Sequence, residues 1–135
     1  MKWLLTFLVA LPLTACNPAA DTKAAEQGVV NFHQQLNAGQ FDQIYATTDP
    51  EFKAASTQDS FTKLLSAVHR KLGNFRSGQT GNWNDSSTTG GHFVRLERTA
   101  QFDHGPAEEE FIFKVSGQEA VLVGYHIGSD TLITS

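Results

Sequence analysis

The stretch "HFVRLERTAQFD", residues His92 to Asp103, decides the fold class. Val94, Leu96, Ala100 and Phe102 share one parity, with Arg98 interrupting the row. Arg95, Glu97, Thr99 and Gln101 share the other. A period of two is the signature of a strand buried on one side. The same period continues downstream. "EEEFIFKV" aligns Phe111, Phe113 and Val115, and "EAVLVGYHI" aligns Val121, Val123, Tyr125 and Ile127, which leaves Leu122, Gly124 and His126 on the opposite face. "HGPA" and "SGQE" supply the turns between these strands. Upstream, "NFRSGQTGNWN" reads as a further strand whose glycines predict a bend or bulge, and "DSSTTGG" reads as a polar loop.

Before Gly73 the period is helical. Ala25, Val29, Phe32 and Leu36 follow i, i+4, i+7, i+11, with Asp21 or Thr22 available as a cap and Gly39 suited to the position after the helix. Phe41, Ile44 and Tyr45 predict a short second helix. Asp49-Pro50 opens another turn, with proline at a first helical position. Phe61, Leu64, Leu65, Val68 and Leu72 form the stripe of a third long helix, capped near Ser56 and Asp59 and closed by Gly73. Helices followed by an antiparallel meander predict an α+β fold: N-terminal helices on one curved sheet of about four strands. Phe32, Leu36, Leu65, Val68, Phe113, Val123 and Tyr125 are expected among its most buried residues.

The first residues, "MKWLLTFLVALPLTAC", have a positive start at Lys2 and an apolar run from Trp3 to Leu13. That run is shorter than the roughly 20 apolar residues that span a bilayer, so it reads as a removed export signal. The chain's one cysteine, Cys16, follows at once. "LTAC" resembles the lipobox of bacterial lipoproteins. The resemblance implies cleavage before Cys16, acylation of its thiol and attachment to a membrane through two or three acyl chains. The expected organisation is a signal peptide over 1–15, a lipidated cysteine and short tether over 16–22, and one domain over 23–135. Asn17 in place of an aspartate favours the outer membrane, facing the periplasm, if the cell has one. A tether of about six residues reaches roughly 20 Å when extended.

"VVNFHQQLNAGQFDQIYATTDPEFKAA", Val29 to Ala55, resembles the opening of NTF2-like, cystatin-like domains. That superfamily spans isomerases, dehydratases, ligand-binding pockets and structural modules, so the resemblance implies a fold rather than an activity.

The formal charge of −4, or −5 once Lys2 is removed, gives no reason to expect nucleic acid. The short clusters Glu108 to Glu110 and His69 to Lys71 read as solvated surface. There is no internal repeat and no nucleotide or hydrolase motif. His33, His69, His92, His104 and His126 lack the i, i+4 spacing of a zinc pair, so no metal and no cofactor is expected. No inward carboxylate or histidine is evident, and Asp103 is expected in solvent. Tyr45 and Tyr125 are the candidates for a ligand pocket between helices and sheet. The expected function is a non-enzymatic envelope module that binds a protein partner or a small apolar ligand. The alternative is a small isomerase or hydrolase working in the same helix–sheet cone.

Overall fold

The computed structural model describes residues 18–134. The expected signal segment and Cys16 lie outside the described residues. Helix α1 (Pro18–Asn37) is followed by α2 (Phe41–Ala46), α3 (Pro50–Ala55) and α4 (Gln58–Leu72). Then come β1 (Phe75–Thr88), β2 (Gly91–Phe102), β3 (Gly105–Ser116) and β4 (Glu119–Gly128), and a short C-terminal helix α5 (Asp130–Thr134) that the periodicity did not predict. The strands form one antiparallel meander in the order β1-β2-β3-β4. The class is α+β, as expected. Among the described residues no helix is long and apolar enough to cross a membrane.

Local chemistry explains most of the boundaries. Gly39 has a positive φ of 73°. It donates to the Leu36 carbonyl while Gln40 donates to that of Gln35, a Schellman ending that satisfies the last carbonyls of α1. The Asp49 side chain accepts from the Glu51 N–H, with Pro50 at the first helical position of α3. The cap of α4 is Thr57 rather than Ser56; its hydroxyl accepts from the Ser60 N–H. α1 begins at Pro18, so the segment read as a tether over 16–22 is helical from that residue on.

The helical stripes cover one face of the sheet. Ala25, Val29, Phe32 and Leu36 of α1, and Phe61, Leu65, Val68 and Leu72 of α4, are all buried. They join Val94, Leu96, Ala100 and Phe102 of β2 and Phe111, Phe113 and Val115 of β3 in one core. Each fully buried valine, leucine or phenylalanine among them contributes about 1.5–3 kcal/mol relative to exposure. Leu64 stands outside this stripe and is exposed. Gly28 lets α1 lie close to the sheet: a Cβ there would fall 2.7 Å from the Phe113 ring.

Two strand expectations need correction. β1 runs through most of "DSSTTGG" and pairs with β2 as far as Thr88↔Gly91, leaving only a tight turn at Thr89-Gly90. The bulges foreseen in β1 occur between Phe75 and Ser77 and between Thr80 and Asn82, the second containing Gly81. In β4 the inward residues are Leu122 and Tyr125, while Val121 and Val123 are only half-buried. The register explains this: Phe113 pairs with Leu122 and Ile112 with Gly124, so Val123 is an extra residue and the alternation resets across it. Gly124 within the strand is the signal of that irregularity.

Candidate functional site

The apolar rows on the inner sheet face are broken at one level. Thr80 of β1 lies opposite Arg98 of β2, and Arg98 lies opposite Glu109 of β3. These three place a polar seam across the sheet beneath α1. Glu109 does not belong to the solvated surface expected for "EEE"; it is 2% exposed. Strand alternation puts it in the row of Ala107, Phe111 and Phe113, while Glu108 is exposed and Glu110 pairs with Arg95 at 2.6 Å on the other face.

α1 and β4 supply the partners of Glu109. His33, also buried, places Nε2 2.8 Å from Glu109 Oε1. The Tyr125 hydroxyl donates to Glu109 Oε2 at 2.7 Å. An inward carboxyl and an inward imidazole are therefore both present, contrary to the sequence reading. Two turns earlier, Glu26 accepts from Arg98 at 2.6 Å and from the Thr80 hydroxyl. One turn later, Asn37 grips the Phe75 backbone from both sides, donating to its carbonyl and accepting from its N–H. Polar side chains spaced along one helix thus latch it to three strands.

A carboxyl holding an imidazole is the arrangement of a general base. Here the imidazole is 3% exposed and packed among aromatic rings. The His33 ring stacks on Phe75 with centroids 3.5 Å apart and planes 5° from parallel. The edges of Phe32, Phe102 and Phe111 close around it. Tyr125 packs 4.6 Å from the Phe32 ring and 5.0 Å from that of Phe111. Tyr45, the other expected pocket residue, is half-buried among Phe52 and Phe61 and donates to the Ser56 carbonyl at 2.9 Å. The two tyrosines serve different parts of the core. Asp103 is exposed as expected, yet it accepts from the Asn74 N–H and pairs with Arg76; those contacts, the backbone one foremost, hold its carboxyl below the ordinary range.

Burial pushes the Tyr125 phenol well above its ordinary value, and the adjacent Glu109 adds to the effect. Above about pH 10 an unfolded tyrosine gives up its proton while the folded one keeps it. The folded state then binds more protons, so stability falls as pH rises, by about 1.4 kcal/mol per pH unit for one such group until the folded value is reached. Urea unfolding should show a steeper alkaline decline for the native sequence than for Tyr125→Phe. Parallel declines would mean that Tyr125 is not sealed.

A second cluster lies at the start of α1. Asp21 of α1, Asp85 of β1 and His92 of β2 bring donor atoms within 4.8 Å of one another. His92 Nδ1 stands 3.6 Å from Asp21 Oδ2 and 3.7 Å from Asp85 Oδ1. Burial raises the Asp21 carboxyl above its ordinary value; the charge of Asp85 and a shared hydrogen bond raise it further, while His92 acts the other way.

The remaining recesses are open surface grooves. One follows the uncovered face of the sheet past Phe93, Arg95 and Ile112. Another runs between α1 and β1 past Val30, His33 and Phe75. Comparison of the chain with protein-family models and with curated proteins finds no match to either.

Proposed function

We propose that the protein is a lipid-anchored protein of the cell envelope, attached through Cys16, whose cystatin/NTF2-like domain is a non-enzymatic module for binding a protein partner. The observation that carries this reading is the filled cone. The space between helices and sheet is packed by Phe32, Phe111, Phe113, Leu65 and Leu96, and none is more than 4% exposed. The recess that opens between α1, α2 and β3–β4, past Gly28, Phe32, Ile44, Phe113 and Leu122, has a volume of about 210 Å³, below the roughly 300–1,000 Å³ usual for a small-ligand pocket. The order of helices and strand meander, with all long helices on one sheet face, supports the cystatin/NTF2-like assignment. The anchor rests on "LTAC" and the single cysteine, with the outer membrane favoured where the cell has one. Since α1 starts at Pro18, a lipidated Cys16 would hold the helix within about 7 Å, two extended residues, of the lipid surface. That suits a module working at the membrane.

The second reading, a small isomerase or hydrolase, draws support from one observation, the Glu109–His33–Tyr125 cluster. Its burial under aromatic rings weighs against it. Complementation of a deletion strain separates the two. Cys16→Ser should leave the chain out of the membrane fraction, or unprocessed, and should not restore the phenotype. Tyr125→Phe, which keeps the ring and removes only the hydroxyl, should restore it fully. Full rescue by Cys16→Ser combined with failure of a folded Tyr125→Phe would overturn the binding reading and favour catalysis. A Cys16→Ser chain that floats with membranes at the mature mass would overturn the anchor.

A further inference from the structure

We propose that Asp21, Asp85 and His92 form a site for a divalent transition metal of the zinc(II) class, which clamps the first turn of α1 to the β1–β2 hairpin. The donor set is one imidazole nitrogen and two carboxylate oxygens. Imidazole suits zinc and its first-row neighbours, whereas magnesium and calcium are held by oxygen alone. The spacing fits. Ligands about 2.0–2.1 Å from a tetrahedral zinc lie about 3.4 Å from each other. His92 Nδ1 is already 3.6 and 3.7 Å from the two carboxylate oxygens, so small side-chain rotations close the site.

Electrostatics point the same way. The two aspartates meet in a partly buried position, with side chains 16% and 12% exposed. Among the described residues neither makes an ion pair with an arginine or lysine; His92 is the one basic group beside them. Elsewhere on the same face Glu26 has Arg98. Two adjacent carboxylates in a low-dielectric site repel, and a divalent cation removes that repulsion while supplying bonds. The ligands come from three elements: Asp21 in the first turn of α1, Asp85 near the end of β1 and His92 near the start of β2. Each belongs to a well-built element, so the site requires no ordering of a loop. Three protein ligands leave a fourth position for water or for a donor from a partner.

Isothermal titration of the purified full chain with zinc chloride, read alongside the thermal midpoint, tests the proposal. One equivalent of zinc should bind and raise the midpoint. Asp21→Asn, Asp85→Asn and His92→Gln should each weaken binding by at least about tenfold, the lower bound of what even a supporting hydrogen bond to a metal ligand costs when removed. His104→Gln, whose imidazole sits against the Lys71 carbonyl, should bind as the native chain does. Cys16→Ser should also bind normally, which removes the thiol as a competing ligand. The three ligand variants touch partly exposed groups, and circular dichroism checks their fold. Absence of zinc binding at millimolar concentration would overturn the site. So would binding that survives His92→Gln, binding that depends on Cys16, or magnesium binding as tight as zinc.

Discussion

Replacing His33 with leucine is expected to cost about 3–5 kcal/mol, the range for removing one partner from a buried acid–base pair. Glu109 has a side chain with no solvent exposure, and its carboxyl has two partners, His33 and Tyr125. Leucine fills the imidazole's volume and strands one oxygen in the core, where water cannot replace the lost contact. The companion experiment removes the whole network. A triple variant, His33→Leu with Glu109→Met and Tyr125→Phe, keeps the volume and leaves no polar group unpaired. It should recover most of the loss, because buried polar clusters replaced as a unit by apolar residues are often neutral or stabilising. Urea unfolding of the single and triple variants gives both numbers. A single variant that loses less than about 1 kcal/mol would show that Glu109 finds another partner, with Arg98, its cross-strand neighbour, the nearest candidate.

Leu65→Ala should cost about 2–5 kcal/mol, the range measured for leucine truncation in a close-packed core. Leu65 has no solvent exposure and sits in the central row of α4 with Phe61, Val68 and Leu72. The cavity has little chance to collapse, since α4 is capped at both ends, by Thr57 and by Gly73 with its φ of 77°. For a domain whose whole stability is about 5–15 kcal/mol, this single change removes a large share. Leu64→Ala is the control: that side chain is 39% exposed, and its loss should be within about 0.5 kcal/mol. Equal effects at the two positions would mean that α4 presents a different face to the sheet.

Much of the scaffold was legible because its causes are local. The 3.6-residue stripe of Ala25, Val29, Phe32 and Leu36, the glycine ending at Gly39, the Asp49-Pro50 start and the alternation of β2 and β3 each need only neighbours in sequence. Part of the site was legible as well. The parity of Phe111, Phe113 and Val115, extended back two residues, puts Glu109 inside; a charge-cluster reading of "EEE" hid it. Likewise Arg98 stands in the inward row of β2, where its parity with Leu96 and Ala100 directs it under α1. The bulge in β4 had Gly124 as its one sign.

Alternation tells which face a side chain takes, and nothing about what waits across from it. Glu109 meets His33 over 76 residues, and Arg98 meets Glu26 over 72. Asp21, Asp85 and His92 come from a helix and two strands. A buried polar group is tolerable only with its partner in place, and that partner is set by where α1 lands on the sheet. The apolar stripes dictated that the helix must cover the inner face. The register of four strands, with its bulges and the close approach at Gly28, decided which latches align, and so created both the sealed Glu109 cluster and the Asp–Asp–His site.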